Sequence, residues 1–181
     1  MKKVCLDPGH GGIDPGAIGT TGLKESEVVL VMGLLISAFL WREGVEVFLT
    51  RKDNTFLELR ERVDLAEQEG CDIFISIHTN AHSSLQAHGV ETFHLPSSTQ
   101  GQILAEYIHN GLVKGTGMSD RGIKRANFTV LTGTFPSVLI EAGFITNPLE
   151  EKMMVDPDWL VFFSREIAQS VMDYLEEEGG E

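Results

Sequence analysis

The run Ser137-Val138-Leu139-Ile140-Glu141-Ala142-Gly143-Phe144 reads as a buried strand with a carboxylate set in its middle. An ionised carboxylate is costly to bury without a partner. Where a site retains one, its pKa rises toward the range useful for proton transfer. Two other apolar runs close on polar groups of matching use. Val4-Cys5-Leu6-Asp7-Pro8-Gly9 leads into His10, and Asp72-Ile73-Phe74-Ile75-Ser76-Ile77 leads into His78. Three strand-like runs thus end in groups suited to metal-assisted hydrolysis, which points to an enzyme before a binding module.

Working outward, strand-like runs are expected at 3–7, 45–50, 72–78, 89–95, 128–131 and 137–141, with helical patterns between most of them. This alternation predicts an α/β single-domain fold, a mostly parallel sheet of about six strands with helices on both faces. The first helix, at about 26–42, is apolar on nearly every side and should be packed on both, with Gly44 able to end it. The second opens at the capping box Thr55-Phe56-Leu57-Glu58, carries Leu59, Val63 and Ala66, and stops at Gly70. A third is expected near 102–112. The last starts at Asp156-Pro157, an N-cap followed by proline at the first helical position, with Leu160, Phe163, Ile167, Val171 and Leu175 as its apolar stripe. Ligands gather at the carboxyl ends of strands in such sheets, so His10, His78 and Glu141 could meet at one edge.

A chain of 181 residues is long enough to bury one sizeable core. Its formal charge of −13 argues against nucleic acid, which demands a Lys/Arg surplus, and against anionic membranes or wall polymers held by simple attraction. Cys5 and Cys71 lie in or beside apolar runs and read as small buried hydrophobes without the paired spacing of a zinc thiolate site. Met1-Lys2-Lys3 runs straight into the first strand, so no signal peptide is read. The most apolar stretch, 28–41, is shorter than the roughly 20 residues of a membrane span. Residues 1–176 are expected to form the catalytic domain, with 177–181 an acidic tail or the start of a linker.

Proline and glycine on both sides of His10 imply a tight loop after the first strand, where backbone can approach whatever the imidazole holds. The same glycines lack both the Gly-Lys-Ser/Thr of a phosphate loop and the GxGxxG spacing. Glu25 opens the first helix, a place that favours acidic residues for electrostatic reasons alone, and Glu27 shares that position with less in its favour. His78 leaves an apolar strand where a strand end meets the crevice; a satisfied core histidine is its other reading. His82 and His88 are expected to face solvent, and His94 and His109 to be ordinary strand and helix residues. Two histidines, a carboxylate and a separate glutamate match a catalytic zinc site, which uses three protein ligands and leaves a position for water. Glu141 could then take a proton from water and pass it to a leaving amine.

The chain resembles the zinc-dependent N-acetylmuramoyl-L-alanine amidases, a family that includes bacterial autolysins, daughter-cell separation amidases and phage endolysins. The resemblance rests on Leu6-Asp7-Pro8-Gly9-His10-Gly11-Gly12 with Asp14-Pro15-Gly16-Ala17, then Leu23-Lys24-Glu25, Ser76-Ile77-His78-Thr79-Asn80-Ala81 and Gly89-Val90-Glu91. It ends with Pro136 through Pro148 around Glu141, and order and spacing agree from 3 to about 174. It implies that His10, Glu25 and His78 bind Zn2+, which raises Glu25 from a helix-end charge to a ligand, and that Glu141 is the catalytic acid/base. It implies cleavage of the amide between N-acetylmuramic acid and the L-alanine of the stem peptide. The implied partner is peptidoglycan, met at the cell wall by a monomer with no nucleic acid and no membrane partner. With no signal peptide read, a phage lysin or an excised catalytic domain is expected.

Some family members carry an inserted helix after the fourth strand that blocks the zinc. Here Leu95-Pro96-Ser97-Ser98-Thr99-Gln100 leaves no room for one. Two alternatives stay open: a zinc peptidase acting within the stem peptide, and a wall-binding module with a dead site, against which the presence of all four matched residues speaks.

Overall fold

The structure, a computed structural model, describes residues 2–178. Its six strands form one sheet in the order β2-β1-β3-β6-β4-β5. They are β1 (Lys3–Pro8), β2 (Glu46–Leu49), β3 (Ile73–Asn80), β4 (Val90–His94), β5 (Asp120–Arg125) and β6 (Ser137–Phe144). Every pairing is parallel except β4 with β6. Five helices complete the fold: α1 (Glu25–Arg42), α2 (Leu59–Gln68), α3 (Thr99–Thr116), α4 (Pro148–Met153) and α5 (Pro157–Glu178). None is long and apolar enough to cross a membrane.

The period-2 alternation of the central strands divides the core. Val4, Leu6, Ile73, Ile75, Ile77, Val138 and Ile140 face α1, α3 and α5 in the larger cluster. Cys5, Phe74 and Leu139 point the other way, against α2 and a 3₁₀ turn at Thr129–Leu131. On that second face the next outward residues are Ser76 and His78 on β3 and Glu141 on β6. The cover there is thinner, and the polar ends of the strands stay reachable. Both cysteines are free and buried, as their apolar settings predict.

Several boundaries differ from the sequence reading. The expected strand at 128–131 is the 3₁₀ turn, and the true edge strand is β5, whose polar Asp-Arg-Gly-Ile-Lys-Arg carries no alternating pattern. Strands β3 and β6 run on to Asn80 and Phe144, so His78 and Glu141 sit inside them, shortly before their ends. Helix α2 begins later than expected because Thr55 bonds the Asp53 carboxylate instead; Glu58 and Glu61 supply the reciprocal cap. Helix α1 is packed on one side only, and Val31, Leu34 and Trp41 are exposed, Trp41 by 75%. Four residues, 95–98, join β4 to α3, and no inserted helix lies between them. Helix α5 ends at Glu178; residues 179–181 of the expected acidic tail lie outside the described residues.

Beneath the carboxyl ends of β1 and β3 lies a buried ion pair. Asp7, fully buried, accepts from Arg62 Nη1 at 2.9 Å, from Thr50 Oγ1 at 2.7 Å and from Ser76 Oγ at 2.8 Å. Removing one partner of such a pair leaves an uncompensated buried charge, at a cost of about 3–5 kcal/mol. Arg62→Met should therefore lower the unfolding free energy by about that amount. Urea denaturation checks it; a change below about 1 kcal/mol would show that the pair does not hold this corner together.

Candidate metal centre

The loop after β1 owes its shape to two buried arginines. Arg51 donates to the carbonyls of Pro8 (2.8 Å), Gly9 (2.7 Å) and Ser26 (2.8 Å). Arg62 donates to those of Pro8 (3.0 Å) and His10 (2.8 Å). So held, His10 takes a φ of 60°, the sole positive value at a described non-glycine residue. That left-handed conformation costs a side-chain-bearing residue of order 1 kcal/mol or more and persists only where its surroundings fix it. It turns the imidazole toward the start of α1.

Glu25, nearly buried there, is the hub. Its Oε2 lies 3.1 Å from His10 Nε2, and its Oε1 lies 2.9 Å from His78 Nδ1. The backbone N–H groups of Ala17 and Thr79 donate to the same carboxylate, at 2.8 and 2.9 Å. The far side of the His10 ring is held by Asp14, whose Oδ2 is 2.8 Å from Nδ1; a proton kept on Nδ1 leaves the Nε2 lone pair, on the side facing Glu25, free to bind a metal. One donor atom from each of His10, Glu25 and His78 lies within 4.8 Å of the other two. Imidazole and carboxylate donors so gathered suit a divalent first-row metal, and the three side chains fit one.

Two glycines make this closeness possible. A Cβ at Gly9 would stand 2.2 Å from His78 Cε1, and one at Gly16 would stand 2.6 Å from Glu25 Oε2. Burial alone would raise the Glu25 carboxyl, but the hydrogen bonds and charges of His10 and His78 outweigh it and hold the group well below the usual carboxylate range. For His10, burial is likewise outweighed, by Glu25 and then Asp14, and the net shift is upward.

Glu141 is the fourth member. The β3–β6 register pairs it directly with His78, so both side chains rise from one face. Its Oε2 is buried with no hydrogen-bond partner. Burial pushes its carboxyl well above the usual range, and the charges of Glu25 and Glu91 add to the effect. One carboxylate is thus kept charged and its neighbour kept ready to carry a proton, the division of labour of an acid/base site. The groove above them, about 500 Å³, holds all four residues and is walled by Leu59, Phe128 and Val130.

The structure brings together all four residues singled out in the sequence. Glu27 points to solvent against Lys24, and His82 and His88 are exposed. His109 is buried against Asp120 and Thr92, away from the groove. Asp7, Arg51 and Arg62 were not read as functional. Arg62 had a signal, since it shares the buried edge of α2 with Val63 and, one turn on, Ala66.

The profile of a family described as N-acetylmuramoyl-L-alanine amidase matches residues 4–173. The amidase AmiA of Escherichia coli K12 is 31% identical over 220 aligned residues, covering 96% of this chain and 76% of that protein. The amidase LytC of Bacillus subtilis is 41% identical over 149 residues, 81% of this chain but 30% of LytC's own length. The catalytic domain of the amidase CwlV from Bacillus (Paenibacillus) polymyxa superposes with a TM-score of 0.93 at 37% identity, covering 97% of this chain and 99% of that domain. With the profile spanning nearly all of the sequence, the chain belongs to the N-acetylmuramoyl-L-alanine amidase family.

Proposed function

We propose that the chain hydrolyses peptidoglycan at the amide joining the lactyl group of N-acetylmuramic acid to the L-alanine of the stem peptide, with zinc held by His10, Glu25 and His78. The observation that carries this is the convergence of those three donors beside Glu141, whose buried Oε2 has no hydrogen-bond partner among the described residues, at one groove. Zinc at this position would supply Lewis-acid activation of water and of the scissile carbonyl. Glu141 serves as the acid/base: it accepts the proton of the attacking water and delivers it to the departing alanine nitrogen. Its raised affinity for protons suits both halves of that transfer. Asp14 and the two backbone donors on Glu25 keep the ligands oriented. Residues 1–176 form the catalytic domain in this proposal. It works as a monomer at the cell wall, with no nucleic acid or membrane partner.

Three outcomes test the proposal. Chelation should abolish cleavage, added zinc should restore it, and mass spectrometry of the digest should find stem peptides with a free L-alanine amine. A cut inside the stem peptide would make the chain a peptidase instead. Glu141→Gln keeps the shape but accepts no proton, so metal content should hold while turnover falls by roughly a hundredfold or more. Loss of metal from that variant would make Glu141 a ligand. Glu25→Ala should empty the site in a zinc assay while the exposed Glu27→Ala stays loaded; equal loss in both would overturn the assignment of the third ligand.

A further inference from the structure

Beyond the groove, the sheet face that carries Glu141 runs on over β4 to the edge strand β5. Antiparallel pairing sets Glu91 of β4 opposite Glu141, and residues directly opposite share a face. Two residues on, Phe93 pairs with Lys124 of β5, so Lys124 belongs to the same face. Glu91 is nearly buried, and its Oε2 receives two cations: Arg121 Nε at 3.1 Å, and the Lys124 ammonium. No other carboxylate pairs with either cation among the described residues. The cluster therefore keeps one net positive charge in a chain whose formal charge is −13. That charge is also reachable, since the Arg121 and Lys124 side chains are 36% and 40% exposed while Glu91 is 6% exposed. The guanidinium carbon of Arg121 lies over the Phe144 ring, 4.7 Å from its centroid, and the Lys124 ammonium sits 5.6 Å from that of Phe93; both are held near the sheet surface.

The chemistry sets a direction along this surface. If Glu141 protonates the departing nitrogen, the peptide side of the scissile amide lies on the Glu141 side of the metal donors. Continuing from β6 over β4 to β5 spans two strand spacings, roughly 10 Å. An extended peptide advances roughly 3.3–3.6 Å per residue, so the second or third stem residue comes level with the cations. We infer that Arg121 and Lys124, joined through Glu91, form a subsite for a free carboxylate of the stem peptide. The commitment is to the α-carboxylate left free when the second residue, a glutamate, is linked through its side chain. This inference rests on the amidase proposal.

The test compares two muramyl tripeptides that differ only at that carboxylate, one free and one amidated. A partly exposed charge-assisted contact is worth about tenfold, so the wild-type chain should cut the free acid with a kcat/KM about tenfold higher, and less so as salt rises. Lys124→Gln and Arg121→Gln should each bring the ratio toward one, and Lys124→Arg should keep it. The ratio is measured within one variant, so a partly unfolded preparation does not alter it. Equal rates on the two substrates in wild type, or an unchanged ratio in both Gln variants, would overturn the subsite while leaving the amidase proposal standing. No cleavage of either tripeptide at an L-alanine amide would overturn both.

Discussion

The buried contact between Asp7 and Arg62 is the constraint on which the rest of the site depends. A buried ion pair is stabilising only when its remaining donors and acceptors are also satisfied. Here Thr50 and Ser76 complete the carboxylate, while the guanidinium of Arg62 and that of its neighbour Arg51 are occupied by backbone carbonyls. The arginines thereby act on the chain more than on each other's charge. They pin Pro8, Gly9 and His10 in a conformation that a free loop would avoid. The strain of one left-handed histidine is offset by hydrogen bonds that also tie β1 to α2.

Electrostatic contrast follows from that rigidity. Glu25 and Glu141 are both carboxylates in one groove, yet their surroundings drive them apart. Glu25 is approached by two imidazoles and two amides, all of which favour its charged form. Glu141 lies between strands, with acidic neighbours and one oxygen that no described residue hydrogen-bonds. A one-residue slip of β6 against β3 would turn Glu141 to the opposite face, into the apolar cluster. Register is therefore as much a part of the proposed acid/base apparatus as the residue type.

Much of this was legible in the sequence, and what escaped had physical causes. His10, His78 and Glu141 stood out because each interrupts or closes an apolar run, which is the mark of a polar group placed with a purpose. Glu25 could not be told from a helix-end charge by its position alone; the resemblance to a family, then the geometry, raised it. Strand β5 escaped because an edge strand with one buried-face residue, Ile123, and a glycine irregularity has no alternation to detect. The turn at Thr129–Leu131 imitated a strand because Val130 and Leu131 are buried beneath α2. Helix α4 was signalled by Asn147-Pro148, the same cap-and-proline pair that located α5, but six residues are too few to show a period.

Chain order adds a consequence for how the enzyme comes into being. The three candidate ligands lie within the first 78 residues, and their strands β1 and β3 are neighbours. Glu141 arrives on the last strand to be made, and it takes its place only when β6 adds to the free edge of β3. The residues of the proposed metal site can thus come together in the chain before the strand that carries the proposed acid/base is made. A chain cut before β6 would keep the three candidate ligands and lack Glu141.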